Sequence, residues 1–176
     1  MVFQPYQLYY FDGFTVGVIG LTTPDTETKT HPKNVEGLSF MSDEVVNNAQ
    51  ALVNEVNKRA DYVIVLGHVG LDEDGSYGVT SKMIAENLKG IDLFIDGHSH
   101  TVLENGLRVN DTLIASAGEY MNYVGVVEIQ VRNGKAVDEN AYLVSASQVE
   151  DPSTSEFAKM LGIKEVKEDP AVAAYV

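Results

Sequence analysis

Short apolar runs separated by turn-forming residues organise the chain. Leu8-Tyr9-Tyr10-Phe11 and Thr15-Val16-Gly17-Val18-Ile19-Gly20 flank Asp12-Gly13, the pattern of a β-hairpin closed by a two-residue turn. The second run is apolar throughout, which predicts a strand buried inside a sheet. A polar stretch then runs from Leu21-Thr22-Thr23-Pro24-Asp25-Thr26 to Glu36, longer than a connection needs. From Asp43 to Arg59, Val45, Val46, Ala49, Leu52, Val53 and Val56 fall on one face at helical spacing, with Ser42 as N-cap. A strand over Asp61–Leu66 follows, then a helix over Ser81–Leu88 ended by Gly90, then a strand over Asp92–Ile95. The order strand, helix, strand, helix, strand predicts an α/β fold.

After His100 the pattern changes. Asn105-Gly106, Asn110-Asp111 and Asn133-Gly134 punctuate β-rich runs at Thr112–Ala115, Val124–Val131 and Ala136–Val144. These predict antiparallel strands, with a type I′ hairpin at Asn133-Gly134. Near the end, Asp169 and Pro170 sit as the N-cap and first residue of a helix.

Composition narrows the function classes. The 176 residues suit one domain with a real core. The formal charge of −14, from 26 acidic and 12 basic residues, argues against nucleic acid and anionic membrane as partners, since phosphates need a basic patch. The chain has no cysteine, so disulfides, thiolate metal sites and cysteine nucleophiles are excluded. No apolar stretch spans a bilayer, and no signal peptide is visible at Met1-Val2-Phe3-Gln4-Pro5.

The chemistry concentrates in histidine. Gly67-His68 and Gly97-His98-Ser99-His100 each follow a strand-like run, so three of the four histidines lie just past strand ends. Open α/β sheets gather ligands from different strands there. His68, His98 and His100 are therefore candidate metal ligands, suited to zinc, manganese, cobalt or iron. Residues two apart in an extended segment share a side, which would align His98 with His100. If His68 and His98 bind one ion at ~2.1 Å, their nitrogens should lie roughly 3 to 5 Å apart. Asp96 either orients a ligating imidazole from behind or caps the turn. His31 has no such setting and reads as an exposed loop residue. Leu71-Asp72-Glu73-Asp74-Gly75-Ser76 lacks the spacing and closing glutamate of an EF-hand and reads as solvated loop. No P-loop, Rossmann fingerprint or Gly-x-Ser-x-Gly elbow occurs.

Four segments in order, Val18-Ile19-Gly20-Leu21-Thr22-Thr23-Pro24, Leu66-Gly67-His68-Val69-Gly70, Gly97-His98-Ser99-His100 and Ala117-Gly118-Glu119-Tyr120 ahead of Val124-Gly125, give a more specific signal. Through them the chain resembles the second half of the catalytic domain of bacterial 5′-nucleotidases, within the calcineurin-like metallophosphoesterases. The resemblance implies half of a four-layer α/β/β/α sandwich. Residues 1–165 would be the C-terminal half of the catalytic domain, and 166–176 the start of a linker helix toward a further domain. It also implies two divalent metal ions bridged by an aspartate and by a water or hydroxide that attacks phosphorus in line. His68 and His98 then resemble the two histidine ligands of one ion. His100 resembles a ligand of the other, where relatives often carry glutamine or asparagine.

The resemblance places the family's Asp-x-His, Gly-Asp and Gly-Asn-His-Glu motifs in the first half of the domain, and neither Gly-Asp nor Gly-Asn-His-Glu occurs in this sequence. The bridging carboxylate and the catalytic histidine are thus expected outside it, and the chain alone should be nearly inactive. The implied parent is a secreted, periplasmic or wall-attached hydrolase. Its substrate is a 5′-nucleotide, a 2′,3′-cyclic nucleotide or another phosphate ester. Exposed strand edges predict a homodimer of the fragment. The rival reading is a non-catalytic metal-binding or assembly module.

Overall fold

A computed structural model of the chain describes residues 4–40, 44–71, 78–149, 155–164 and 167–175. Ser42 and the acidic segment Asp72–Asp74 lie outside the described residues. Strands β1 (Tyr6–Phe11) and β2 (Phe14–Thr22) form the expected hairpin. Its turn residues Asp12 and Gly13 both have positive φ, as a type I′ turn requires. The polar stretch that follows carries a short helix, α1 (Thr26–Lys29), and a 3₁₀ turn over Pro32–Asn34. His31 is exposed and caps that turn, its Nδ1 accepting from the backbone N–H of Lys33 at 3.2 Å.

Helix α2 (Val45–Val56) is followed by β3 (Tyr62–His68), α3 (Ser81–Asn87) and β4 (Leu93–Ile95). Thr80 caps α3, its hydroxyl accepting from Met83 N–H at 3.1 Å. Then come β5 (Leu107–Val109), β6 (Thr112–Ala115), β7 (Tyr123–Arg132) and β8 (Lys135–Ser145). Short helices α4 (Ala146–Val149), α5 (Glu156–Met160) and α6 (Pro170–Ala173) end the chain. Asp169 caps α6 as anticipated, accepting from Ala171 and Val172 N–H.

Six strands make one mixed sheet in the order β1-β2-β3-β4-β6-β5, and β7-β8 make a separate antiparallel pair. The four central strands run parallel, with β1 and β5 antiparallel at the edges. This corrects one expectation. Thr112–Ala115 is not simply part of an antiparallel region, because it lies parallel to β4, with Leu93 opposite Leu113. Its residues Thr112, Leu113 and Ile114 are buried, the condition under which a parallel strand is stable.

Alternation along the strands builds two cores. Val63, Val65, Phe94 and Ile114 face α2 and α3, meeting Val53, Val56 and Ile84. Tyr62, Leu93 and Leu113 face the other way, onto Ala141, Val127 and Ile129 of the β7-β8 pair. The result is a helix layer, a six-stranded sheet and a two-stranded sheet.

Candidate metal centre

Parallel strands β2, β3, β4 and β6 all end on one rim of the sheet, and the candidate residues lie there. His68 closes β3. Asp96 to His100 follow β4, and Glu119 comes after β6. Asp25 comes after β2, in a loop tied to β3 by Thr23 N–H donating to His68 C=O at 2.9 Å.

His98 Nδ1 lies 3.3 Å from His68 Nε2, the rings meeting edge-on with centroids 5.0 Å apart. Two nitrogens each ~2.1 Å from one ion at a tetrahedral angle are ~3.4 Å apart, so the pair fits a shared divalent cation. The same separation suits a long N–H···N hydrogen bond with one ring donating. Glycine eases the approach: a Cβ at Gly97 would stand 3.1 Å from His68 Nδ1, close enough to displace the ring slightly. Burial above all, and then the neighbouring His68 and Lys29, lower the His98 pKa below its ordinary value, against the pull of Asp25 and Asp96. This favours the neutral imidazole that coordination needs.

Asp96 acts on the backbone. Its Oδ1 accepts from Val69, Gly70 and Gly97 N–H at 3.1, 3.2 and 2.8 Å. It therefore caps the turn, and in doing so joins the loop after His68 to the loop before His98. The residue is 9% exposed, and its Oδ2 is buried without a hydrogen-bond partner.

His98 and His100 do not sit in an extended segment. Their φ angles are 84° and 55°, a left-handed conformation that costs non-glycine residues energy and clusters at functional sites. The chain therefore turns between them. His100 leaves the pair and places Nδ1 2.7 Å from Glu119 Oε2. Among the described residues, no group of three or more His, Cys, Asp or Glu side chains is arranged to hold a metal ion.

Two residues carried no assigned role in the sequence reading. Asp25 is 1% exposed, with Oδ2 3.3 Å from Lys29 Nζ. It lies in the polar stretch after β2 that is longer than a connection needs, but no motif there singles out Asp25. Glu119 lay inside a family-like segment, yet nothing in its local spacing pointed to His100, nineteen positions away. Among the described residues, no helix is long and apolar enough to cross a membrane.

No protein-family model matches the chain. It is 35% identical over 131 residues to the trifunctional nucleotide phosphoesterase YfkN of Bacillus subtilis, covering 72% of this chain and 8% of that protein. It is 25% identical over 201 residues to a 5′-nucleotidase of Vibrio cholerae, covering 99% of this chain and 36% of that one. The chain belongs to the 5′-nucleotidase family of metallophosphoesterases. Among solved structures, the sulfate thiohydrolase SoxB of Thermus thermophilus shares the fold, with a TM-score of 0.71 and 24% identity over 82% of this chain and 25% of that one. The chain thus spans well under half the length of each of these family members and fold relatives.

Proposed function

We propose that this chain is the C-terminal half of the catalytic domain of a dinuclear metal phosphoesterase. The intact protein hydrolyses 5′-nucleotides or related phosphate esters. The observation that carries this reading is the 3.3 Å contact of His68 and His98 at the ends of adjacent parallel strands, within a family named for phosphoesterase activity.

In this reading His68 and His98 hold one divalent ion and His100 contributes to a second. Zinc, manganese, cobalt and iron all suit imidazole. When bound, such ions lower the pKa of a water and offset charge building on the phosphoryl group. The chain's own residues supply the positioning. Asp96 fixes both histidine loops, and Gly97 leaves room for the His68 ring. The bridging carboxylate and the catalytic acid come from the other half of the domain. Residues 1–165 are the half-domain, and 166–176 begin a linker toward a further domain. The parent acts outside the cytoplasm, in a secreted, periplasmic or wall-attached setting, on a nucleotide or phosphate ester. It engages neither nucleic acid nor membrane, and the chain by itself pairs as a homodimer.

The test joins metal binding to turnover. Titration calorimetry should show zinc or manganese uptake that His98→Ala abolishes. The chain alone should turn over 5′-AMP and bis-p-nitrophenyl phosphate at least ~1000-fold below an ordinary ~10 s⁻¹. Co-expression with the upstream coding sequence should restore activity. Unchanged affinity in His98→Ala would move the metal elsewhere. Turnover near ~10 s⁻¹ by the chain alone would show that the catalytic groups are already within it. The rival, a non-catalytic metal-binding or assembly module, is favoured by the lack of a three-ligand group among the described residues. It predicts metal uptake with no activity even after co-expression.

A further inference from the structure

The His100–Glu119 contact joins two loops that are already stitched together. Gly118 N–H donates to Thr101 C=O at 3.1 Å, and Leu103 N–H donates to Ser116 C=O at 3.1 Å. The Ser116 hydroxyl donates to the same Thr101 carbonyl at 2.7 Å, and Val102 pairs with Ala117. Gly118 has φ +74°, and a Cβ there would come within 2.9 Å of Val102 Cγ2, so a side chain at this crossing would be strained and would push Val102 aside. The two loops form a fixed frame, and His100 Nδ1 meets Glu119 Oε2 across it at 2.7 Å.

A neutral imidazole has one N–H and one lone pair, and an ionised carboxylate only accepts. A contact of 2.7 Å is therefore an Nδ1–H donating to Glu119, which leaves the lone pair on Nε2. Free histidine has no such constraint. His98 is presented the opposite way, with Nδ1 toward His68. The sheet rim thus offers imidazoles through different ring nitrogens, and a carboxylate dictates the choice at His100. Carboxylates that hold the far nitrogen of a ligating histidine fix its tautomer and raise its basicity.

We propose that Glu119 is a positioning residue that locks His100 as the Nδ1–H tautomer and directs Nε2 toward the cation site. The assignment of a cation to His100 rests on the phosphoesterase reading above, whereas the tautomer lock does not.

The test has two arms on the whole chain. Long-range nitrogen–proton NMR at pH 8, where imidazoles are neutral, reads the tautomer of His100 without added metal. Wild type should show Nδ1–H, Glu119→Ala should shift toward Nε2–H, and Glu119→Gln, whose amide oxygen still accepts, should stay close to wild type. An Nε2–H signal in wild type, or no change in Glu119→Ala with its fold intact by amide dispersion, would overturn the proposal. Titration with zinc forms the second arm. Glu119→Ala should weaken uptake about 10- to 100-fold, the usual effect of losing such a partner, and Glu119→Gln should recover part of it. Equal affinity in all three would overturn the directing role. Failure of wild type to take up zinc, with the Nδ1–H tautomer intact, would instead sink the phosphoesterase reading and leave the lock standing.

Discussion

Three backbone N–H groups from two loops end on one oxygen of Asp96, in a setting that is nearly closed to water. Hydrogen bonds to a charged acceptor are roughly twice as strong as neutral ones, and a buried donor left without a partner pays its full desolvation. Asp96→Ala should therefore destabilise the chain by about 2–4 kcal/mol. Asp96→Asn, which keeps an acceptor but loses the charge, should cost about 1 kcal/mol. Urea unfolding of both variants checks this, and equal costs would show that shape rather than charge matters at the site. The sequence left Asp96 between two roles, because a residue between strand and motif can serve either its own backbone or a neighbouring ring. Only the fold shows that the N–H groups of Val69 and Gly70, more than twenty-five positions away, come to it. The same reason hid Glu119, whose partner His100 is chosen by where β4 and β6 end.

Asp92 works at the scale of elements, at the start of β4. Its Oδ2 accepts from Val63 N–H at 2.7 Å, its N–H donates to Val63 C=O, and its carbonyl accepts from Leu113 N–H. One residue thereby pins the register of three parallel strands. Burial raises its pKa above the ordinary 3.8, the Val63 hydrogen bond opposes this, and the charge of Glu139 adds to the rise. A carboxyl that holds its proton more tightly when folded loses stability as pH climbs from the unfolded value through the raised one. Above that value the loss is complete. Asp92→Asn keeps an acceptor for Val63 and has no charge to bury. It should be at least as stable as wild type at pH 7, with a flatter stability profile between about pH 4 and the raised value. Denaturation curves across that range decide, and a variant clearly weaker at pH 7 would mean that the charge helps the strands pair. The hairpins at Asp12-Gly13 and Asn133-Gly134 were legible because two-residue turns have their own chemistry. The apolar face of α2 was legible because helical periodicity is local. The parallel pairing of β6 with β4 was not, since nothing within Thr112–Ala115 encodes the direction of a partner brought close by a long connection. The turn between His98 and His100 escaped for a related reason. Alternation rules hold inside strands, and this segment begins where β4 ends.

At the scale of the whole molecule, the apolar surface is unevenly covered. Leu66 and Ile95, at the rim ends of β3 and β4, are 54% and 38% exposed. Tyr123 and Val124 at the start of β7 are exposed as well. The β7-β8 pair has only two strands among the described residues, so both of its outer edges lack a strand partner. At the far side of the larger sheet, β1 is an edge strand with Tyr9, Tyr10 and Phe11 exposed. Unpaired edges beside apolar side chains favour association, and a closed dimer covers them at the smallest stoichiometry. The net charge of −14 works against this, because two like-charged copies repel over distances set by the Debye length, about 10 Å at 0.1 M salt. The two forces predict a sign. Raising sodium chloride from about 0.05 to 0.5 M shortens the Debye length roughly threefold, so it should strengthen the dimer. A pair held by surface ion pairs would weaken instead. Light scattering at micromolar concentration, repeated across that salt range, should show the mass rising toward twice that of the chain and stopping there. Binding of a hydrophobic dye should fall as the dimer fills. A monomer at every salt concentration that binds no dye would show that the chain tolerates these residues in water without a partner.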